Sequence, residues 1–255
     1  MGETDFDYQW KNLPSPKIEY NKDRINEFLD FTNIDSQYFK NKKCLDAGAG
    51  IGRYTYALLE LGANVDSIDI SKEAIEKCKD INPSSKVLSI MDLPCLTTSR
   101  LNHSAEQVVL PCLATSRLNH SAEQVVLQPN PVYDFVLSWG VLHHTENPRE
   151  AFKRVAAQVK KGGILHVMLY HKDTQQKYTK YRNIWNTLDN NQKLNLCLEL
   201  TKNNPANVHG WWDALNPTYN YSYTENEIEK WFVEEGFVDI KLTKKYNINM
   251  NGIKS

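Results

Sequence analysis

Long apolar runs are missing from this chain. No stretch approaches the ~18 consecutive apolar residues that a membrane helix needs, so no segment is expected to span a bilayer. The N-terminus, Met-Gly-Glu-Thr-Asp-Phe-Asp, is acidic and lacks an apolar core, so no secretory signal is expected there. Cysteine is scarce: the five residues (44, 78, 95, 112 and 197) are odd in number and form no C-x-x-C pair. That argues against a disulfide framework and for reduced thiols in a cytoplasmic protein. Charge of one sign is not in excess either. The 30 lysines and arginines against 31 aspartates and glutamates leave −1, so no global field favours nucleic acid or an anionic membrane. What is present is 255 residues with 41% hydrophobic content, enough for one full core of an α/β domain with decorations.

The stretch that organises the chain is KCLDAGAGIGRYTYAL, residues 43–58. A short apolar strand turns through Gly48, Gly50 and Gly52 into an amphipathic helix carrying Tyr54, Ala57, Leu58 and Leu61. Alternating glycines remove every Cβ that would hold a ligand off the backbone. The helix that follows directs N–H groups and the positive end of its dipole at that place. A dinucleotide fingerprint, G-x-G-x-x-G, wants a third glycine where Arg53 stands. The form present is D-x-G-x-G-x-G, opening at Asp46. The plainer alternative is a turn that only packs helix on strand.

Further along, GANVDSIDIS (62–71) reads as a second strand ending in Asp69, with Ser71 capping the next helix. A carboxylate at such a strand end can accept both ribose hydroxyls; a helix N-terminal acid is the alternative. A third strand is expected over Lys86–Ile90, leading into Met91-Asp92-Leu93-Pro94. Val132–Trp139 is continuous and apolar, as a central parallel strand should be, and ends in Gly140-Val-Leu-His-His-Thr145. Trp139, His143 and His144 therefore stand where open α/β sheets bind ligands, although either histidine could equally serve to cap the next helix. A helix is expected over 148–160, stopped by Lys161-Gly-Gly163, then a fifth strand over 164–170. Residues 171–222 break the pattern and read as a helical cap insertion, or alternatively as a buttress for an oligomer interface. Thr224-Glu-Asn-Glu227 forms a capping box before a helix, and two last strands are expected over 237–243 and 248–253. Residues 1–41 form a helical extension to the domain at 42–255.

Between the third and fourth strands, CLTTSRLNHSAEQVVLP (95–111) is followed at once by CLATSRLNHSAEQVVLQ (112–128). The copies differ only at Thr97/Ala114 and Pro111/Gln128, which points to a tandem duplication in a connection that is complete without it. Two copies make no solenoid. Cys95, His103, Cys112 and His120 lack the short chelating spacing of zinc modules, so no metal site is expected.

Together the D-x-G-x-G-x-G turn, the D-I-S triplet at 69–71, the turn at 91–94, YDFVLSWGVLHHTENP (133–148) and VKKGGIL (159–165) resemble class I S-adenosylmethionine-dependent methyltransferases. The resemblance covers about half of the chain: residues 42–94, 130–171 and 224–253. It implies a doubly wound, seven-stranded Rossmann-like sheet with a reversed final hairpin. It implies S-adenosyl-L-methionine as cofactor, with Asp46, Gly48, Ala49, Gly50, Gly52, Asp69, Ile70, Asp92, Leu93 and Trp139 around it. In the family the acid at the position of Asp92 faces the adenine amine. The F-x-Y-Q-W run at 6–10 looks like the N-terminal segment of a subset of small-molecule methyltransferases, where it helps close the cofactor site. The implied activity is methyl transfer to a small-molecule acceptor by a monomer or homodimer, with no nucleic-acid partner. His144 with Tyr170 and His171 is expected to border the acceptor, and His143 to be more structural. Rival readings are a catalytically inactive methyltransferase-like binding protein and an NAD(P)-dependent oxidoreductase, against which Arg53 argues.

Overall fold

In the computed structural model, which describes residues 4, 6–13, 20–95, 132–202, 204 and 207–255, the apolar segments assemble into a single seven-stranded sheet. Its strands are β1 (Lys43–Ala47), β2 (Asn64–Asp69), β3 (Lys86–Val87), β4 (Tyr133–Trp139), β5 (Val159–Leu169), β6 (Phe237–Lys244) and β7 (Ile248–Lys254). The order across the sheet is β3-β2-β1-β4-β5-β7-β6. The first five strands are parallel, and β7 enters antiparallel between β5 and β6. This is the doubly wound seven-stranded sheet with a reversed last hairpin that the resemblance implies. Strand order reverses between β1 and β4, which opens a crevice at their carboxyl ends.

Both faces of the sheet are covered, as buried parallel strands require. On β4, Val136 joins one core and Phe135 and Leu137 the other. One core packs α5 (Pro148–Ala157) and α9 (Glu225–Glu234) through Phe152, Val155 and Phe232. The other packs α2 (Lys22–Thr32) and α3 (Arg53–Glu60) through Phe28, Phe31, Tyr54 and Leu58. Phe135 is fully buried there, and truncating it to alanine would cost ~3–5 kcal/mol. Local signals set the helix starts. Asn147 accepts from the Glu150 N–H at 3.1 Å, and Pro148 occupies a first-turn position where an N–H has no helical partner. Glu227 accepts from the Thr224 N–H at 2.7 Å, as the capping box requires.

Residues 171–222 fold as α6 (Lys172–Trp185), α7 (Asn190–Leu200) and α8 (Val208–Leu215) around their own small core of Trp185, Cys197, Trp212 and Leu215. Leu13 and Tyr8, from either side of the end of the short helix α1 (Asp7–Asn12), pack into it. A further helix, α4 (Lys72–Cys78), follows β2, with the Ser71 side chain accepting from the Ala74 N–H at 3.1 Å.

Two elements differ from expectation. β3 stops at Val87 because Ser89 caps a 3₁₀ turn over Ile90–Asp92, accepting from the Met91 N–H at 3.1 Å. The helix after β4 ends at Ala157, and Lys160–Gly163 belong to β5 rather than to a stop between elements. A register shift between Tyr133 and Phe135 absorbs them as a bulge. A Cβ on Gly163 would lie 2.9 Å from the Asp134 carbonyl oxygen, so only glycine fits that bulge. Nearly all of the duplicated segment, from residue 96 on, lies outside the described residues, and so do His103, Cys112 and His120.

Candidate active site

A cavity of about 820 Å³ opens where the sequence of turns would place it, at the carboxyl ends of β1, β2, β4 and β5. Its floor is the glycine turn, where Gly48, Gly50 and Gly52 adopt φ of +92°, +54° and +91°. Side chains disfavour that backbone, and a Cβ on Gly48 would stand 2.2 Å from Val141 Cγ2. The turn is tied to the neighbouring strand. The N–H groups of Gly48 and Ala49 donate to the Ile68 carbonyl at 2.8 and 2.9 Å. The Gly50 N–H donates to Asp69 Oδ2, and the Ser71 N–H to Asp69 Oδ1, both at 2.8 Å. Burial pushes the Asp69 carboxyl up, and those backbone donors pull the other way.

The roof is made by α1 and α8. Ser71 Oγ donates to Asp7 at 2.6 Å, and Lys77 Nζ donates to the Trp10 carbonyl, so α1 is fastened beside the end of β2. From there its side chains reach across. A Cβ on Gly50 would stand 3.3 Å from the Trp10 indole, whose ring centroid lies 5.3 Å from that of His209 on α8. Tyr8 stacks on Trp212 at 5.2 Å, and Gln9 Nε2 donates to Asp213 at 3.0 Å. Phe6 meets His144 edge-on at 5.6 Å.

Of the residues expected around a cofactor, Gly48, Ala49, Gly50, Asp69, Ile70 and Trp139 line this cavity. Asp46, Gly52, Asp92 and Leu93 are not part of its wall. Asp46 lies beneath the turn, 3% exposed, and accepts from Thr55 Oγ1 at 2.7 Å. Burial, reinforced by Asp69, pushes its carboxyl up to about 7. A Cβ on Gly52 would stand 2.8 Å from Ile81 Cδ1, so this glycine serves close packing. The Ser89 turn points Asp92 to solvent and Leu93 into the core, and Met91 takes the place in the wall.

At the end of β4 the two histidines part. His143 is fully buried, its ring 3.8 Å from Tyr170 and 4.2 Å from His144. Neither of its nitrogens has a hydrogen-bond partner among the described residues, and burial together with His144 holds its pKa well below the usual imidazole range. It is a neutral wedge. His144 lines the cavity, with Nδ1 3.0 Å from the Tyr219 carbonyl. A carbonyl only accepts, so in the neutral ring Nδ1 carries the hydrogen and Nε2 the lone pair. Tyr170 lines the cavity as well, and burial with Asp213 nearby keeps its phenol protonated. His171 is outside the wall: it caps α6 by accepting from the Asp173 N–H at 3.1 Å, with Nε2 3.2 Å from Glu225.

Sequence reasoning missed Arg53, Tyr54, Met91, His209 and Asp213 as wall residues, whereas Phe6, Gln9 and Trp10 belong to the run expected to close the site. For one pair a signal existed. His209 and Asp213 are four apart on the otherwise apolar helix VHGWWDAL and so share a face. Arg53, half-buried over the Tyr54 ring, has no ion-pair partner among the described residues.

A family model described as a methyltransferase domain matches residues 16–242. Among solved structures, magnesium protoporphyrin IX methyltransferase from Synechocystis PCC 6803 with bound S-adenosylmethionine superposes with a TM-score of 0.52 at 12% identity, over 98% of this chain and 90% of that one. With bound S-adenosylhomocysteine the same enzyme gives 0.50 at 15% identity, over 92% and 84%. A proposed S-adenosylmethionine-dependent methyltransferase from Listeria monocytogenes gives 0.52 at 15% identity, over 92% and 100%. These likenesses show the fold. No curated protein shows a significant match to this chain.

Proposed function

Because the chain belongs to the methyltransferase-domain family, and is an S-adenosylmethionine-dependent methyltransferase of class I, we propose that its acceptor is a small molecule held beneath α1 and α8. The observation that carries this reading is the roofed cavity itself. At about 820 Å³ it lies in the upper part of the range of small-molecule sites, and side chains of α1 and α8 reach over it from the side opposite the glycine turn.

The residues present fit the cofactor. The glycine turn admits backbone approach, and the Arg53 guanidinium beside it, which has no carboxylate partner among the described residues, suits the methionine carboxylate. Asp69 spends one lone pair of each oxygen on backbone N–H groups and keeps others for ribose hydroxyls. Ile70 and Met91 offer apolar faces for the adenine. When bound, S-adenosylmethionine supplies a methyl group already activated for transfer, so the protein's task is position. Alignment of the acceptor at ~3–3.5 Å can contribute roughly 7–11 kcal/mol. His144 Nε2 takes the proton of a hydroxyl, phenol or ammonium acceptor, worth on the order of 10²–10⁴ in rate. Tyr170 donates a hydrogen bond at the same end, while His143 fixes both rings by packing. In this reading residues 1–41 supply the closing helix, 171–222 shape the acceptor end, and the free thiols of Cys44, Cys78, Cys95 and Cys197 suit a reducing cytoplasm.

The test is single-turnover methyl transfer in His144→Asn and His143→Asn, with cofactor affinity measured separately. A loss of about 10²–10⁴ in His144→Asn supports the base role. A full-rate His144→Asn enzyme removes it, and a dead His143→Asn with intact cofactor binding moves it to the neighbouring ring.

A further inference from the structure

Two carboxylates in the cavity wall, the exposed Glu146 and Asp213, have no use in the chemistry above, and Asp213 is the one withdrawn from solvent. Asp213 sits on α8, half-buried, facing the end of the cavity that Tyr170 and His144 border. Gln9, 2% exposed, donates Nε2 to Asp213 Oδ1 at 3.0 Å. The bond settles the orientation of the amide, since its oxygen cannot face a carboxylate. Gln9 thereby holds Asp213 in place without neutralising it. Among the described residues no lysine or arginine forms an ion pair with Asp213. Carboxylates withdrawn from bulk water are ordinarily paired. Here no described lysine or arginine pairs with it.

The surroundings show what kind of partner fits. The same cavity is lined by Phe6, Tyr170, Tyr178 and Tyr219, and Tyr170 is close enough to Asp213 to feel its charge. Arg182 and Lys177 lie behind them, and both are engaged. Arg182 donates to Gln175 Oε1 at 2.8 Å and to the Ala214 carbonyl at 3.1 Å. Lys177 donates to the Tyr246 hydroxyl at 3.1 Å. Neither lines the cavity, whose one described guanidinium, Arg53, stands at the glycine turn. The acceptor end thus combines a fixed negative charge with aromatic faces, and both attract an organic cation and disfavour a phosphate or carboxylate.

We propose that the acceptor carries an amine protonated at neutral pH, and that Asp213 anchors its ammonium group among these rings. The proposal rests on the reading of the cavity as a methyl-transfer site. It names the class of molecule that site takes. An ammonium nitrogen has no lone pair, so the contact at Asp213 is one of recognition rather than activation.

The test is calorimetric titration of the protein loaded with S-adenosylhomocysteine, using 2-phenylethylamine and 3-phenylpropionate, which share a ring and differ in the sign of charge. The amine is expected to bind and the acid not to. In Asp213→Asn the amine should bind about tenfold to a hundredfold more weakly, as for other charged hydrogen bonds, with homocysteine-nucleoside affinity unchanged. An amine that binds no better than the acid, or equally well to Asp213→Asn, overturns the proposal and leaves the methyltransferase reading intact. Weaker S-adenosylhomocysteine binding by Asp213→Asn also overturns it, because Asp213 would then serve the cofactor's own ammonium. No binding of S-adenosylhomocysteine to the unmodified protein would remove the underlying reading, and this one with it.

Discussion

Asp46 shows how a residue can matter to a site that it does not line. Its carboxyl is buried under the glycine turn and titrates at about 7, against ~3.9 in an unfolded chain. Between those values the folded state holds the extra proton, so this group makes stability fall as pH rises through that window and stay lower above it. An asparagine at this position would keep the acceptor for Thr55 and carry no charge. Asp46→Asn should therefore match the parent near pH ~4 and exceed it near pH ~8 by a few kcal/mol, several degrees in Tm. Burial of His143 and His166 acts oppositely in the same window, with the His166 pKa pushed down to about 3, but both rings remain in the variant and cancel in the difference. A Tm gap that does not vary with pH would show that Asp46 titrates normally. Arg53 carries a second expectation at this scale. Arg53→Met should weaken S-adenosylmethionine about tenfold to a hundredfold, and unchanged affinity would place the methionine carboxylate elsewhere. At this scale the glycines were legible, because positive φ leaves few other choices. Asp92 was not: a Ser89 side-chain bond shifts the wall by one residue, to Met91, and no spacing rule contains that bond.

Among elements, α1 does the most with the least. Six residues reach the end of β2, the glycine turn and α8 through Asp7, Trp10, Tyr8 and Gln9. Its tie to the sheet is polar and its hold on the cap is largely aromatic, so it is placed to control how fast the cavity empties. Trp10→Ala is expected to raise the cofactor's dissociation rate by about tenfold with little change in association, as for most contact losses at a formed site. Stopped-flow displacement of S-adenosylhomocysteine measures this, and an unaltered dissociation rate would mean that α1 does not close the site. The aromatic run at 6–10 marked this element in the sequence, but its partners, more than 190 residues away on α8, could not be read there. The Lys160–Gly163 bulge was hidden for a related reason. Two glycines after a helix read as a stop, and only the approach of the Asp134 carbonyl on β4 explains why they sit inside a strand.

For the whole molecule, local signals marked the strands and helices in their order along the chain, while the doubly wound seven-stranded sheet and its reversed last hairpin were legible only through the resemblance to class I methyltransferases. The acceptor end was not, because its wall is assembled from α1, α6, α8 and the ends of β4 and β5, which meet only in three dimensions. The central claim is that the glycine turn, Asp69 and the roof form one cofactor site. Isothermal titration of S-adenosylmethionine and its demethylated product into the protein, Gly50→Val and Asp69→Ala addresses it most directly. Gly50→Val would set a branched side chain at φ +54° against the Trp10 ring, and Asp69→Ala would remove the ribose acceptor and the bridge to the Gly50 N–H. The expected result is micromolar binding to the parent, none to Gly50→Val, and a loss of ~1.5–3 kcal/mol in Asp69→Ala. Equal affinity in all three folded proteins, or binding of NAD in place of S-adenosylmethionine, would contradict it.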